Sequence, residues 1–169
     1  LALHGIFGED GSIQTILDQN DITYNGSKSN SSKNCFDKSF TKSIVKNNNI
    51  LTPPSILVDR KIFNTNNYNF KKSVIKPNKQ GSSVGFSIVD NQDKIVSALD
   101  FALNYDSHAL VEEYIEGNEI TVSVLGDKVL PVIEIKPHSN VYDYKSKYTK
   151  GETDYICPAK LHESTLKAI

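Results

Sequence analysis

The chain contains no methionine and no tryptophan, and only two cysteines in 169 residues. Cys35 and Cys157 lie far apart without metal-type spacing, so reduced thiols in a cytosolic protein are expected. No apolar run approaches the length of a membrane-spanning helix, and no signal peptide opens the sequence. Excess charge is lacking too. With 19 basic and 20 acidic residues the net charge is -1, which gives no support to a nucleic-acid partner. Both generic nucleotide fingerprints, GxxxxGK(S/T) and GxGxxG, are missing, so any nucleotide site here belongs to another architecture. The missing initiator Met, with Leu1-Ala2-Leu3 at the start, leads to the expectation that the chain begins inside a strand. Glu163 to Ile169 reads as a helix that stops short. A fragment is expected, holding one domain or two small ones.

The richest stretch that is present runs from Val74 to Phe86, VIKPNKQGSSVGF. Val74 and Ile75 suit one strand and Val84 to Val89 another, with Phe86 and Ile88 on one face. Lys76 precedes a connector crowded with small residues, hydroxyls and backbone N–H groups. Such a flap can close over a phosphate: glycine permits close backbone approach, serine donates hydrogen bonds and lysine supplies charge. The same composition also makes an ordinary polar hairpin. The stretch alone leaves both readings open.

Around it the periodicities predict an alternating order. Leu1 to Gly5 reads as a strand end, Ser12 as the cap of a helix facing inward with Ile13, Ile16 and Leu17, and Ile22 to Tyr24 as a short strand. Ser27 to Lys33 is polar and loop-like. A helix follows with Phe36, Phe40, Ile44 and Val45 on one face, while Lys38, Lys42 and Lys46 recur every four residues. For Lys42 and Lys46 a solvated stripe is the expectation. Pro53-Pro54 leads into a strand from Ser55 to Val58, with a short helical segment expected around Lys61 to Phe63. Asp90 or Asn91 can cap a helix that buries Ile95, Leu99, Ala102 and Leu103. A strand from Ala109 to Tyr114 follows, and Gly126-Asp127 signals a hairpin between Glu119–Leu125 and Val129–Ile135. There Ile133 and Ile135 should face one way, Glu134 and Lys136 the other or solvent. The stretch from His138 to Pro158 is long, polar and rich in tyrosine, the mark of a functional or disordered loop.

Three kinds of group recur near the expected strand ends: the lysines Lys38, Lys76 and Lys147, the small-residue flap, and the acids Glu112 and Glu119. Lysines and a Gly-Ser flap suit a polyphosphate. Free backbone groups are expected from Glu112 to Ile115, just past a strand, where they suit an adenine edge, and Glu119 can accept from ribose hydroxyls. Plainer readings stand beside these. His4 can be a satisfied strand-end residue, Glu9 can cap the helix near Ser12 through the helix dipole, and Glu113 can be solvated. His108, His138 and His162 read as surface residues, and Cys157 as structural or incidental.

The segments LHGIFGEDGSIQ, FDK, VIKPNKQGSSVG, LVEEYIEGNEITVSVLG, YDYKSKY and CPAKL, in this order, resemble the D-alanine–D-alanine ligase family of the ATP-grasp superfamily. The likeness spans essentially the whole chain, and KP…GSSVG together with YDYKSKY is highly specific. It implies an α+β ATP-grasp fold, two α+β subdomains around an ATP cleft, preceded by the tail of a Rossmann-like N-terminal α/β domain. The implied boundaries are 1–26 for that tail, 27–112 for the central domain and 113–169 for the start of the C-terminal domain with its lid loop. It further implies ATP-dependent joining of two D-alanines through D-alanyl phosphate for peptidoglycan synthesis, in a cytoplasmic homodimer bound to neither nucleic acid nor membrane. Carried over residue by residue, Lys38 and Lys76 hold ATP phosphates, and Gly81 to Gly85 cover them, with Ser82 and Ser83 at the reacting end. Glu112, Glu113, Ile115 and Glu119 match the adenine and ribose positions. His4 and Glu9 lie near the first D-alanine, and Lys147 and Tyr148 sit on the lid, whose tyrosine closes toward Ser82 and favours the dipeptide product over an ester.

Two family features are missing. An early glycine-rich strand end with a substrate-holding glutamate would lie before Leu1. The ligands of Mg²⁺ (or Mn²⁺), a downstream Asp and a Glu-x-Asn pair, would lie beyond Ile169, along with an arginine. Asp143, Glu152 and Asp154 are not assigned as metal ligands. These 169 residues alone are therefore expected to be inactive or nearly so. Two alternatives remain: a non-catalytic nucleotide-binding remnant, and an ATP-grasp ligase for another D-amino or hydroxy acid.

Overall fold

The computed structural model describes residues 1–59, 70–139 and 141–169. The short helix expected around Lys61 to Phe63 lies outside the described residues. The chain divides into two compact units, Leu1–Ile115 and Glu116–Ile169.

In the first unit three helices precede the sheet: α1 (Ser12–Gln19), α2 (Ser29–Phe36) and α3 (Lys38–Asn47). Four antiparallel strands follow, β1 (Ser55–Asp59), β2 (Ser73–Pro77), β3 (Ser87–Val89) and β4 (His108–Glu113), in the order β1-β4-β2-β3. Helix α4 (Ile95–Leu103) enters after a 3-10 turn at Gln92–Lys94, where Asn91 accepts a hydrogen bond from the Asp93 N–H. Its Ile95, Ala98, Leu99 and Ala102 recur at i, i+3, i+4 and i+7, one apolar stripe. That stripe packs on Val58, Ile75, Val89, Ala109 and Val111, closing the core. Strands of this sheet alternate faces. Ile75 and Val111 are register partners on the core face, which leaves Lys76 and Glu112 on the other.

Several expectations are corrected here. Residues 1–4 and 22–24 form no strand; Leu1, Leu3 and Ile22 are about half exposed, and no described strand pairs with them. A β-bridge needs a neighbour for its N–H and C=O groups, and apolar residues alone do not supply one. Ser12 is the first residue of α1 and not its cap, since Gly11 holds that position and the Asp10 carboxylate accepts from the Ser12 N–H. The polar run 27–33 is largely helical, because α2 packs between α1 and α3 and tertiary contact outweighs weak propensity. The lysine-bearing helix begins only after Asp37, which caps it by accepting from the Phe40 N–H at 3.0 Å.

The second unit holds a three-stranded antiparallel sheet of β5 (Glu119–Thr121), β8 (Ile133–Pro137) and β9 (Thr153–Ile156), ordered β5-β8-β9. Strands β6 (Val124–Leu125) and β7 (Lys128–Val129) form the hairpin at Gly126-Asp127. Helices α5 (Tyr144–Tyr148) and α6 (Glu163–Ala168) complete it. The expected loop from His138 to Pro158 thus contains a helix and a strand. Asp143 accepts from the Ser146 N–H to start α5, and β9 pairs with β8. Along β8 Ile133 and Ile135 share one face and Glu134 and Lys136 the other, as expected, but Glu134 is buried and not solvated: Asn118 Nδ2 and Lys136 satisfy its carboxylate. No helix among the described residues is long and apolar enough to cross a membrane.

Candidate functional site

The register of β2 and β4 builds the first half of the site. Val74 pairs with Glu112, so Lys76, two residues along β2, is its diagonal neighbour on the same face. The Lys76 ammonium pairs with Glu112 Oε2. From α3, Lys42 takes Oε1 of the same carboxylate at 2.6 Å and also donates to Thr52 Oγ1 and the Pro53 carbonyl, each at 2.7 Å. Lys42 is therefore no solvated lysine, with only 14% of its side chain exposed; Lys46 is exposed as expected. Burial would raise the Glu112 carboxyl, but the Lys76 charge and the Lys42 hydrogen bond hold it below the usual range.

Lys38 stands at the start of α3 with its ammonium donating to the backbone carbonyls of Asn78 and Gln80, at 3.1 and 2.6 Å. Burial lowers its pKa to about 8, and repulsion from Lys76 adds to this against the pull of Asp106, Glu112 and Asp37. The two lysines assigned to phosphate thus sit within electrostatic reach of each other. Asn78 organises this corner. Buried, it receives the Ser39 N–H at Oδ1, donates from Nδ2 to Asp37, and is tied through its N–H to the His108 carbonyl. Burial would raise Asp37, yet hydrogen bonds from Phe40, Asn78, Ser39 and Lys79 carry it well below the usual carboxylate range.

Between Pro77 and β3 lies the flap. The Val84 N–H donates to the Gly81 carbonyl, closing a turn in which Ser82 and Ser83 both have left-handed φ, 55° and 57°. Two successive serines in that region store strain, which persists where surrounding structure fixes it and clusters at ligand-binding sites. Gly85, at φ 69°, admits no side chain: a Cβ would lie 2.7 Å from Pro77 and 2.8 Å from Tyr105. At Gly81 a Cβ would lie 2.8 Å from Glu9 Oε2, so the Glu9 carboxylate is seated against the flap. That carboxylate accepts from the Gly5 N–H at 2.6 Å and does not cap α1, whose first N–H, at Ser12, donates to Asp10. His4 is exposed beside Gly5.

Past β4 the expectation of free backbone donors needs correcting. The Glu113 N–H donates to the Pro54 carbonyl and the Tyr114 N–H to the Lys72 carbonyl. The Glu113 side chain is exposed, as is Ile115 at 61%.

The second unit carries the remaining candidates. Burial raises the Glu119 carboxyl, opposed by the charge of Lys147. The Lys147 ammonium lies 5.1 Å from the centre of the Tyr142 ring, a cation–π contact. Tyr142 and Tyr155 share a hydrogen bond of 2.8 Å between their hydroxyls, which together with burial pushes the Tyr142 phenol up to about 12. Tyr148 is half exposed and tilts against Tyr144, ring centres 4.8 Å apart. Among the described residues no three His, Cys, Asp or Glu side chains gather as they would around a metal ion.

Sequence reasoning missed Lys42, Asn78, Asp37 and Tyr142 as working parts. Asn78 and Asp37 stand inside the KPN and FDK segments, yet their roles depend on hydrogen bonds between residues about forty apart.

With this geometry, a family model described as "D-ala D-ala ligase C-terminus" matches residues 47–169. The chain belongs to the D-alanine–D-alanine ligase family. It is 44% identical to the D-alanine–D-alanine ligase of Vesicomyosocius okutanii, covering 100% of this chain and 58% of that protein. The Buchnera aphidicola ligase is 41% identical, with 100% and 59% covered. Among solved structures, the ligase from Bacillus anthracis superposes with a TM-score of 0.82 at 37% identity, covering 99% of this chain and 56% of its own. The VanG D-Ala:D-Ser ligase from Enterococcus faecalis gives 0.80 at 32%, covering 98% and 51%. The Bacillus anthracis ligase complexed with ATP gives 0.77 at 33%, covering 99% and 54%. The fold is that of the ATP-grasp ligases, and the chain spans a little over half the length of these relatives.

Proposed function

We propose that the complete protein carrying this chain is a D-alanine–D-alanine ligase that uses ATP. The observation that carries the reading is the meeting of Lys38, Lys76 and a strained Gly-Ser flap in one unit, with Glu9 seated against that flap. A carboxylate oxygen of the first D-alanine attacks the γ-phosphorus of ATP, and the bond to the β-phosphate oxygen breaks, releasing ADP. The amine nitrogen of the second D-alanine then attacks the acyl phosphate carbon. Phosphate leaves, the amine loses a proton, and the peptide bond remains.

The chain's residues supply charge and shelter rather than a covalent nucleophile. Lys38 and Lys76 offset the phosphate charge, Ser82 and Ser83 donate from the flap, and Lys147 and Tyr148 belong to a lid that excludes water. Glu112, Glu113, Ile115 and Glu119 are assigned to adenine and ribose, and His4 and Glu9 to the first D-alanine. Mg²⁺ or Mn²⁺ is expected with the phosphates, and among the described residues no three His, Cys, Asp or Glu side chains gather to hold it. Two exposed free thiols fit a cytoplasmic protein, and the family resemblance supports a homodimer.

Ser82→Ala in the complete protein tests the assignment. Turnover, followed as phosphate released with D-alanine, should fall about a hundredfold while thermal unfolding is unchanged. Unchanged turnover would reduce Ser82 to a turn residue. The similarity to a D-Ala:D-Ser ligase makes the second substrate worth measuring: D-alanine, D-serine and D-lactate are compared as acceptors, and D-alanine should be the best.

A further inference from the structure

The ion cluster on Glu112 holds one lysine more than the nucleotide reading uses. Lys42 is fixed from three sides, by Thr52 Oγ1, the Pro53 carbonyl and Glu112 Oε1, and is nearly buried. Lys76 grips the other oxygen of that carboxylate, has no second anchor among the described residues, and is about twice as exposed, 27% against 14%. One partner is built to stay and the other is free to turn.

We propose that Lys42 is a positioning residue that releases Lys76 for phosphate. The inference rests on the reading of Lys76 as a phosphate ligand. Glu112 has 9% of its side chain exposed, and a buried carboxylate stripped of its counter-charge is strongly unfavourable. With Lys42 held in place, Lys76 can swing toward an arriving phosphate and leave behind a neutral Lys42–Glu112 pair. Without Lys42, the same swing leaves a bare carboxylate close to the incoming anion. Glu112 then retains Lys76, and the cluster's charge falls from +1 (two ammonium groups, one carboxylate) to zero. The cost falls on ligands carrying phosphate and spares those without it.

The test uses the complete protein that carries this chain. Calorimetry measures binding of the non-hydrolysable analogue AMP-PNP with Mg²⁺, and of adenosine, to the wild type, Lys76→Met, Lys42→Met, Glu112→Gln and Lys42→Met/Glu112→Gln. Thermal unfolding monitors the fold. Lys42→Met should weaken the analogue about tenfold and leave adenosine within about twofold. In the Glu112→Gln background, where no carboxylate needs neutralising, the same substitution should cost less than about twofold. Equal loss in both backgrounds, equal loss of adenosine, or no loss at all overturns the proposal. Failure of the wild type to bind the analogue, or normal binding by Lys76→Met, overturns instead the nucleotide reading beneath it. Should Lys42→Met not fold, Lys42→Gln, which keeps a donor but not the charge, carries the same expectation.

Discussion

Lys38 shows how one side chain's surroundings set a measurable pH dependence. Its ammonium is buried near Lys76, and its pKa falls from 10.5 to about 8. Phosphate binding needs the protonated form, so affinity for a nucleotide should drop as pH rises through about 8, with a slope approaching one proton. Calorimetric titration of AMP-PNP between pH 7 and 9.5 measures this, and Lys38→Arg should flatten the profile because guanidinium stays charged throughout. Stability has the opposite sign. Between about 8 and 10.5 the unfolded chain binds the proton that the folded chain has lost, so this group's contribution becomes more favourable with rising pH. A fall in affinity together with a fall in stability would point to alkaline unfolding and away from Lys38.

At the scale of elements, Asp37 ends one helix, starts the next and ties both to the flap's approach through Asn78. Asp37→Ala removes the α3 cap and one hydrogen-bond partner of a buried amide, and should destabilise by about 2 kcal/mol. Urea unfolding of the complete protein measures it. Because the folded carboxyl is held below its unfolded value of 3.8, its contribution is present above that pH and fades as pH falls below it; the variant should lack this part of the acid sensitivity. Asp37 also marks where periodicity ceased to guide. Phe36, Phe40 and Ile44 read as one helical face, although the chain breaks between the first and second to form a cap. The strands Ser55–Asp59, Ser73–Pro77 and His108–Glu113, the Gly126-Asp127 hairpin and the apolar stripe of α4 were legible, since their signals are local. Lys42 and Glu134 were not. Each is a charged residue with a partner from another element, Glu112 of β4 for Lys42 and Asn118 for Glu134, and such partners make its burial tolerable.

For the molecule as a whole, the two units differ in how much they bury. Leu1–Ile115 contains a closed apolar core of four strands and one helix, with Ile75, Ala102, Ala109 and Val111 fully enclosed. In Glu116–Ile169, Glu134, Ser146 and Ala159 are the buried residues among those described, two of them polar. A piece of about fifty residues with so little apolar burial cannot offset its conformational entropy without help. Residues 1–115 expressed alone should therefore unfold cooperatively in urea and give dispersed amide resonances. Residues 116–169 alone should show neither, despite the hydrogen-bonded β5-β8-β9 sheet. Cooperative unfolding of the second piece would mean that its polar network around Glu134 and Ser146 stabilises it more than net hydrogen-bond energies of about 1 kcal/mol each allow. If both pieces behave as expected, the lysines and the flap rest on a self-supporting scaffold. Glu119, Lys147 and Tyr148 then stand in a unit that does not hold its order alone.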